Sequence, residues 1–287
     1  MRQIIINADD LGADAARNDG IFDAIHAGIV TSVSILANGP ASRKSLETLR
    51  SLAHNPISLG FHMNLSEGKP LTSNLRLLVG EDGNFLKKTS ARAVLMQPGN
   101  PEIEREIDHE LVSQMEAVLD GGLRITHIDG HQHVHVFPAV LPVTLKIAQR
   151  YKIPWVRIPE EPSPSSGLED IPKWLREEAE FFSGMAHAAR LELTGDRIQT
   201  PDHFRGLFLK GRFSLPVLFD LLQRVPPGLT ELMVHPGQIS EKPFAGPFSS
   251  FSTADRLREL ETLLDPAFLK VLERSHINLT SFPVASC

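Results

Sequence analysis

The stretch QIIINADDLG, residues 3–12, opens with an apolar run and ends in two adjacent aspartates, a leucine and a glycine. A short apolar run that stops at polar residues predicts a buried strand over residues 3–8. Asp9 and Asp10 follow that strand directly. Two carboxylates next to an apolar run cost free energy unless something pairs with them. The stretch therefore predicts a strand whose end carries chemistry.

Short apolar runs of this kind recur along the chain and alternate with helical patterns. Strands that alternate with helices pair in parallel, and about eight such units predict a (β/α) barrel. We therefore expect an α/β fold, a single-domain TIM-like barrel of regular or distorted shape over residues 1–287. The predicted strands cover residues 3–8, 31–37, 57–63, 125–129, 153–158, 204–209, 230–235 and 277–282. The predicted helices cover residues 14–27, the segment from Asn100-Pro101 to Gly121-Gly122, and residues 138–151, 172–190, 213–224 and 255–274, and the long polar loops are 66–98 and 159–171.

Composition and charge argue against several classes of protein. The net charge of −6 and the pI near 6.1 disfavour a nucleic-acid partner, whose binding surface is normally basic. No apolar run approaches the roughly 18 residues that a membrane helix needs, and the N-terminus lacks the pattern of a signal peptide. The single cysteine, Cys287, is the last residue and cannot form an internal disulfide. These observations predict a soluble, cytoplasmic protein.

Polar residues that follow the predicted strands converge on one rim of the barrel. Barrel active sites lie at the C-terminal ends of the strands. Side chains that follow different strands therefore meet in space even when they lie far apart in sequence. The residues placed there are Asp9 and Asp10 after the first strand, His62 at the third, Asp129 and His131 at the fourth, Arg157 near the fifth and His235 at the seventh.

The stretch THIDGHQHVHVFP, residues 126–138, contains four of the twelve histidines of the chain. Strand alternation would place all four on one face together with Asp129, which is more than one barrel interior can hold. We therefore expect Gly130 to end the strand, so that some histidines reach the site and others point away. The alternative is a histidine-rich surface loop, or a set of hydrogen-bonded structural histidines.

One aspartate and two histidines form a donor set that leaves open positions on a divalent metal. Adjacent residues on a strand point in opposite directions, so Asp9 and Asp10 serve one site only if the chain turns there. One aspartate would then bind the metal, and the other would accept a proton from water. The alternative is that the pair caps the next helix, a role for which Asp14 competes. Taken alone, His62 is equally consistent with a core histidine, and Arg157 with a surface salt bridge.

Six motifs in this order resemble the YdjC-like carbohydrate deacetylase family. They are NADDLG at 7–12, GIVTSVSILANG at 28–39, LGFHMNLSEGKPL at 59–71, THIDGHQHVH at 126–135, VRIP at 156–159 and ELMVHPG at 231–237. The resemblance covers most of the chain. It implies a TIM-like barrel, a divalent metal that is usually magnesium, and removal of an acetyl group from an N-acetylated amino sugar.

The resemblance also implies a role for each rim residue. Zinc is the alternative to magnesium, the substrate is an N-acetylated sugar, and a homodimer is the family expectation. Gly130 and Gln132 depart from the residues of the chitooligosaccharide members, so the sugar stays open. The implied metal ligands are Asp10, His62 and His131, the implied general base is Asp9, oriented by Arg157, and the implied general acid is His235.

Other reaction classes lack their motifs. The chain has no G-x-S-x-G elbow, no G-x-G-x-x-G and no P-loop, so a serine acyl-enzyme and a nucleotide cofactor are not expected. Two alternatives stay open: another metallohydrolase such as a phosphoesterase, and a non-catalytic sugar-binding or sensor protein on the same barrel. We also predict that the loop 66–98 forms one wall of the sugar cleft, since it leaves the barrel beside His62.

Overall fold

The computed structural model describes residues 1–52, 57–164, 170–193, 198–240, 247–248 and 253–283. Strands and helices alternate along the chain, and every predicted strand is present. The strands are β1 (Arg2–Leu11), β2 (Ser32–Ile35), β3 (Ser58–Met63), β4 (His127–Gly130), β5 (Trp155–Val156), β6 (His203–Arg205), β7 (Gly228–Val234) and β8 (Ile277–Leu279). The helices are α1 (Ala15–His26), α2 (Ser42–Ser51), α3 (Lys88–Leu95), α4 (Pro101–Leu119), α5 (Leu141–Arg150), α6 (Lys173–Glu192), α7 (Leu215–Gln223), α8 (Ala254–Leu264) and α9 (Pro266–Arg274).

The strands form one parallel sheet that curls into a distorted barrel, in the order β5-β4-β3-β2-β1-β7-β6. β7 pairs directly with β1, beginning with Arg2 opposite Gly228. β8 pairs with the first residues of β1, where Arg2 lies opposite Ile277, whereas β2 pairs with β1 from Asn7 onward. The eighth strand therefore does not separate the seventh from the first, as it would in a regular eight-stranded barrel. The predicted α/β barrel is confirmed in its distorted form.

The apolar run that predicts β1 is continuous because both faces of the strand are covered. Ile4, Ile5 and Ile6 are all fully buried. Parallel strands lie between other protein layers, so neighbouring residues that point in opposite directions are both apolar. This burial places the polar end of β1 at the edge of a dry core.

Helix boundaries follow from capping residues. The Asn100 side chain accepts backbone N–H groups in the first turn of α4, and Pro101 takes the first helical position as predicted. The single helix predicted over 255–274 is wrong: it divides into α8 and α9, because Asp265 caps a new helix that starts with Pro266. The sequence patterns also do not predict α2 and α3.

Helix α3 lies within the predicted loop 66–98, and carboxylates of α4 hold the earlier part of that loop. Glu110 accepts the backbone N–H groups of Leu71 and Thr72. Glu106 accepts three more N–H groups further along. Each such bond satisfies a backbone donor that would otherwise need water. The loop is therefore tied to the outside of the barrel.

Two sequence-based expectations fall partly or wholly outside the described residues. The predicted loop 159–171 includes residues 165–169, and Cys287 belongs to the terminal segment 284–287, neither of which is described. Within the part of the chain that is described, no helix is both long enough and apolar enough to cross a membrane.

Candidate metal centre

The C-terminal ends of the strands surround one cleft. Its lining includes five of the six side chains to which the family resemblance gives a role: Asp9, Asp10, His62, His131 and His235. The sixth, Arg157, is fully buried and lies behind Asp9. The structure therefore brings together residues from β1, β3 and the segments that follow β4, β5 and β7.

The end of β1 turns so that two adjacent aspartates reach the same cleft. Asp10 has a φ of 65°, in the left-handed region that non-glycine residues rarely adopt. The pairing of β1 with β2 also shifts register between Ala8 and Leu11. The alternative that the pair caps α1 is wrong, since Asp14 caps that helix by accepting the N–H of Arg17.

One carboxylate oxygen lies between the two histidines that the sequence predicts as metal ligands. Asp10 Oδ1 is 2.7 Å from His131 Nδ1 and 3.2 Å from His62 Nε2. Candidate ligand atoms of all three residues lie within 4.8 Å of one another, and all three side chains are buried. Carboxylate oxygen and imidazole nitrogen are ordinary donors to a catalytic divalent ion. The donor set therefore fits such an ion.

The outer nitrogen of each histidine faces a carboxylate. His62 Nδ1 lies 2.8 Å from Asp129 Oδ1, and His131 Nε2 lies 3.1 Å from Glu67 Oε2. With a metal bound between Asp10 and the histidines, each outer carboxylate would accept the proton of the outer nitrogen, and the inner lone pair would face the metal. Histidines that bind metals almost always have such a partner. This arrangement is a second feature that fits a metal site.

Carboxylates surround the buried histidines. Burial lowers the pKa of His62, but Asp129 and Asp9 more than offset that effect and raise it to about 10. Burial raises the pKa of Glu231 to about 7. The buried carboxylates near the site are Asp9, Asp10, Asp129, Glu231 and Glu259, and the buried guanidinium groups are Arg17, Arg157 and Arg256. A divalent cation bound at His62 would take the place of its proton.

Arg157 binds three carboxylates at once. Its Nη1 and Nη2 atoms donate to the two oxygens of Asp9 at 2.6 and 2.7 Å. Nη2 also lies 2.8 Å from Asp129 Oδ2, and Nε donates to Glu231 at 2.8 Å. The alternative that Arg157 forms a surface salt bridge is wrong, because its side chain is fully buried. The paired contact fixes the orientation of the Asp9 carboxylate.

The pKa values of the two adjacent aspartates are shifted in opposite directions. Burial raises the pKa of Asp9 despite the opposing effect of Arg157. Burial would also raise the pKa of Asp10, but His131 and His62 hold it well below its usual range. A carboxylate with a low pKa stays ionised, whereas one with a raised pKa accepts a proton more readily. Their surroundings therefore distinguish the two groups.

A second group of candidate ligands is less suited to a metal. Asp9, His62 and Asp129 also lie within 4.8 Å of one another. However, both aspartates already bind the Arg157 guanidinium, which supplies positive charge to them. The group also shares His62 with the first one. The cluster around Asp10 is therefore the better candidate.

His235 lines the same cleft and comes directly after β7, the strand that pairs with β1. Its backbone N–H donates to Glu259 at 2.6 Å, which fixes the chain at this point. Burial and the nearby Arg256 guanidinium hold the pKa of His235 well below its usual value. The structure thus places a neutral imidazole beside the predicted metal ligands, and its role as an acid stays a prediction.

The remaining histidines of the 126–138 stretch divide as the sequence predicts, because β4 ends at Gly130. His127 is deep in the barrel and stacks on Phe282, with ring centroids 4.0 Å apart, and burial lowers its pKa to about 3. His133 lines the cleft and packs edge-on against Phe182. The imidazole of His135 is hydrogen-bonded to the backbone carbonyl of Arg157.

Sequence reasoning missed two acids that support the site. Glu67 contacts His131, and Glu231 contacts Arg157. Glu67 lies in the LGFHMNLSEGKPL motif and Glu231 begins the ELMVHPG motif. Their position within motifs that supply His62 and His235 was the available signal.

The fold and the site define an α/β barrel protein with a buried carboxylate–histidine cluster at the C-terminal ends of its strands. A family model described as YdjC-like protein matches residues 3–274. The chain belongs to this family.

Relatives and a solved structure agree with that assignment. A mouse (Mus musculus) protein named carbohydrate deacetylase is 33% identical over 298 residues, covering 96% of this chain and 93% of the relative. A Geobacillus stearothermophilus protein of the same name is 31% identical over 282 residues, covering 98% and 97%. A crystal structure from Enterococcus faecalis, of a candidate cellobiose-phosphate cleavage protein, superposes with a TM-score of 0.73 at 24% identity, covering 98% of this chain and 97% of that one. This likeness supports the fold.

Proposed function

We propose that the protein is a carbohydrate deacetylase that hydrolyses the N-acetyl group of an amino sugar or oligosaccharide. The observation that carries the proposal is the cluster of Asp10, His62 and His131 beside the Asp9–Arg157 pair in one cleft. The full-length relatives named carbohydrate deacetylase support the reaction class.

Asp10, His62 and His131 would hold a divalent metal. When bound, the metal would supply positive charge that polarises the acetyl carbonyl and acidifies water. The family resemblance implies magnesium, whereas two imidazole donors are typical of zinc. Both ions are therefore candidates, with magnesium first.

Asp9 acts as the general base in this proposal. Its carboxylate lines the cleft next to Asp10, so it lies beside the position that the metal ligands define. Arg157 holds both carboxylate oxygens, which keeps the base in one orientation as water approaches. Such preorganisation lowers the cost of reaching the transition state.

His235 acts as the general acid to the leaving amine. It lines the same cleft and follows a different strand from Asp9. Because its lowered pKa leaves His235 neutral before the reaction, the proton that it passes to the amine would be the one that the attacking water loses. Two acid–base groups in one cleft favour an enzyme over a sugar-binding protein without activity.

A two-metal phosphoesterase is less well supported. Such enzymes hold two ions about 3.5–4 Å apart. Among the described residues, the second candidate group shares His62 with the first, and Arg157 already binds its two aspartates. The geometry therefore supports one ion better than two.

Acetate release from N-acetylglucosamine oligomers, with and without a chelator, tests the proposal. We expect release that stops when the chelator is present and resumes after magnesium or zinc is added back. Metal analysis of the purified protein identifies the ion. Release that is unaffected by the chelator would contradict the metal, and no release from any N-acetylated sugar would contradict the reaction. The homodimer, the cytoplasmic location and the choice of sugar stay predictions.

A further inference from the structure

Glu67 bridges a candidate metal ligand and a distant segment of the chain. Oε2 of its carboxylate lies 3.1 Å from His131 Nε2. The other oxygen, Oε1, accepts the backbone N–H of Phe248 at 2.7 Å. The buried Asn64 side chain donates to the Glu67 carbonyl at 2.8 Å, which fixes the backbone beneath the carboxylate. The bridge is therefore preorganised on the β3 side.

The Phe248 side chain is buried and packs against the same histidine. Its side chain is 1% exposed, and its ring meets the His131 imidazole edge-on with centroids 6.0 Å apart. Gly68 has a φ of 78°, and a Cβ there would lie 3.0 Å from the Phe248 ring. A side chain at position 68 would therefore push the ring out of this position. Gly68 therefore leaves room for the ring of Phe248, the residue whose backbone Glu67 binds.

We propose that Glu67 is a positioning residue that couples metal binding at His131 to the packing of Phe248 against that histidine. This inference rests on the metal site proposed above. The Glu67 carboxylate keeps a proton on His131 Nε2, so that Nδ1 offers its lone pair on the side of Asp10. The same carboxylate orders the Phe248 backbone against the cleft.

The coupling is reciprocal by thermodynamic necessity. If an ordered Phe248 favours the Glu67 orientation that metal binding needs, then metal binding favours an ordered Phe248 to the same degree. The carboxylate makes this possible because each of its two oxygens serves one partner. Loss of either partner leaves Glu67 freer to rotate, which weakens the contact to the other.

Calorimetric titration of the metal-free protein with magnesium and with zinc tests the first part of the proposal, that Glu67 strengthens metal binding. Glu67→Gln should weaken binding of the resident metal by roughly 10–100-fold, the usual effect of losing such a partner. Glu67→Asp should recover part of the affinity, and Phe248→Ala should weaken it by a smaller factor. Glu160→Gln is the matched control, because Glu160 contacts His187 at the surface, outside the cleft.

Amide hydrogen exchange at Phe248 tests the second part of the proposal without any activity assay. Metal should slow exchange of this N–H in the parent and have no effect in Glu67→Gln. If the parent binds metal and Glu67→Gln binds it within twofold, or if metal leaves Phe248 exchange unchanged, the inference is overturned. If the parent binds neither ion, the proposed metal site itself fails.

An exposed tryptophan at the cleft carries a second, independent inference. Trp174 is 54% exposed on α6, and Leu175 and Glu178 of the same helix line the cleft. Lys210, which also lines the cleft, places its Nζ 5.7 Å from the Trp174 ring centroid and 3.7 Å from Glu178 Oε2. The exposed indole therefore has an ammonium group beside it, next to the residues that line the cleft.

We infer that Trp174 and Lys210 form a subsite for a second sugar residue of an oligosaccharide. This inference rests on the proposed deacetylation. The C–H face of a pyranose is apolar and packs on an aromatic ring, while its hydroxyl groups accept hydrogen bonds from an ammonium group. Neither group belongs to the candidate metal cluster, so we expect an oligosaccharide to contact them more than a monosaccharide does.

Steady-state kinetics on N-acetylglucosamine and its trimer test the subsite. In Trp174→Ala, the rise in KM for the trimer should exceed the rise for the monosaccharide by about tenfold, the size of one aromatic contact. Trp174→Phe should restore most of the difference, and Leu191→Ala, an exposed residue on the same helix, is the control. Equal changes for both substrates would overturn the inference, and no turnover of either by the parent would contradict the proposed function instead.

Discussion

The two histidines of the candidate metal centre are held by carboxylates that differ in their surroundings. Asp129, the partner of His62, is fully buried and receives hydrogen bonds from Ser34 at 2.6 Å and from Arg157 at 2.8 Å. Glu67, the partner of His131, lies on a loop, and its side chain is 20% exposed. We refer to these as the inner pair (His62–Asp129) and the outer pair (His131–Glu67).

The two carboxylates are held in place by different parts of the molecule. The inner pair belongs to the charge network of the barrel, so its geometry depends on the fold as a whole. The outer pair depends on a single loop carboxylate and on Phe248, whose segment is 181 residues away in sequence. We therefore expect loss of the Asp129 carboxylate to weaken metal binding more than loss of the Glu67 carboxylate does.

Removing either histidine should have the largest effect. His62→Ala and His131→Ala should each lose the metal, because three protein ligands become two. Metal content of the purified variants is the measurement, and circular dichroism checks that the fold survives. His187→Ala, a surface histidine, should keep its metal. Full metal occupancy in both cleft variants would exclude these residues as ligands.

Asp9→Asn should reduce turnover by roughly 10²–10⁴-fold and leave the metal in place, because only proton transfer is removed. The measurement is acetate release alongside metal content. A rate within a few-fold of the parent would mean that another group is the base. Loss of the metal would mean that Asp9 and Asp10 exchange the roles proposed here.

The comparison of the two pairs is tested directly by Asp129→Asn and Glu67→Gln. Asp129→Asn should weaken metal affinity more, because water cannot reach its buried position to satisfy the donors that the carboxylate now pairs with. At Glu67 the exposed edge admits solvent, so the loss should be partial. Calorimetric titration of both variants under one condition gives the ratio. A greater loss of metal affinity in Glu67→Gln than in Asp129→Asn would contradict the expected order.

Lys88→Ala should have the smallest effect. Lys88 comes from the predicted cleft-wall loop 66–98 and lines the cleft without contacting either histidine pair. We expect relative rates among N-acetylated sugars to change by roughly two- to fivefold, the range of an exposed charged contact, with metal content unchanged. Lys146→Ala, whose charge pairs with Asp108 away from the cleft, is the control. Unchanged relative rates in Lys88→Ala would argue that this part of the loop does not contact substrate.

The sequence predicts the barrel well because strand burial leaves a local signal. The run of isoleucines before Asp9 predicts a strand without any knowledge of the partner strands. In the same way, Gly130 predicts where the fourth strand ends. Convergence at the strand ends then predicts which side chains meet, and the structure brings Asp9, Asp10 and His62 into one cleft.

Features that depend on distant partners could not be predicted in this way. No periodicity indicates that Glu67 contacts Phe248, since the two residues lie 181 positions apart. The left-handed turn at Asp10 also has no sequence marker such as glycine. Likewise, the pairing of β8 with the start of β1 depends on barrel closure.

The central position of β1 has a consequence for the order in which the molecule forms during translation. β1 leaves the ribosome before β7 and β8, which pair with its opening residues and begin at Gly228 and Ile277. The isoleucine run must therefore wait for these partners until both strands have been made. Such long-range pairing is slow and exposes apolar segments to aggregation. Asp10, His62 and His131 are all made before β7, so the candidate metal ligands are available while the strand that carries Asp10 still lacks its β7 partner.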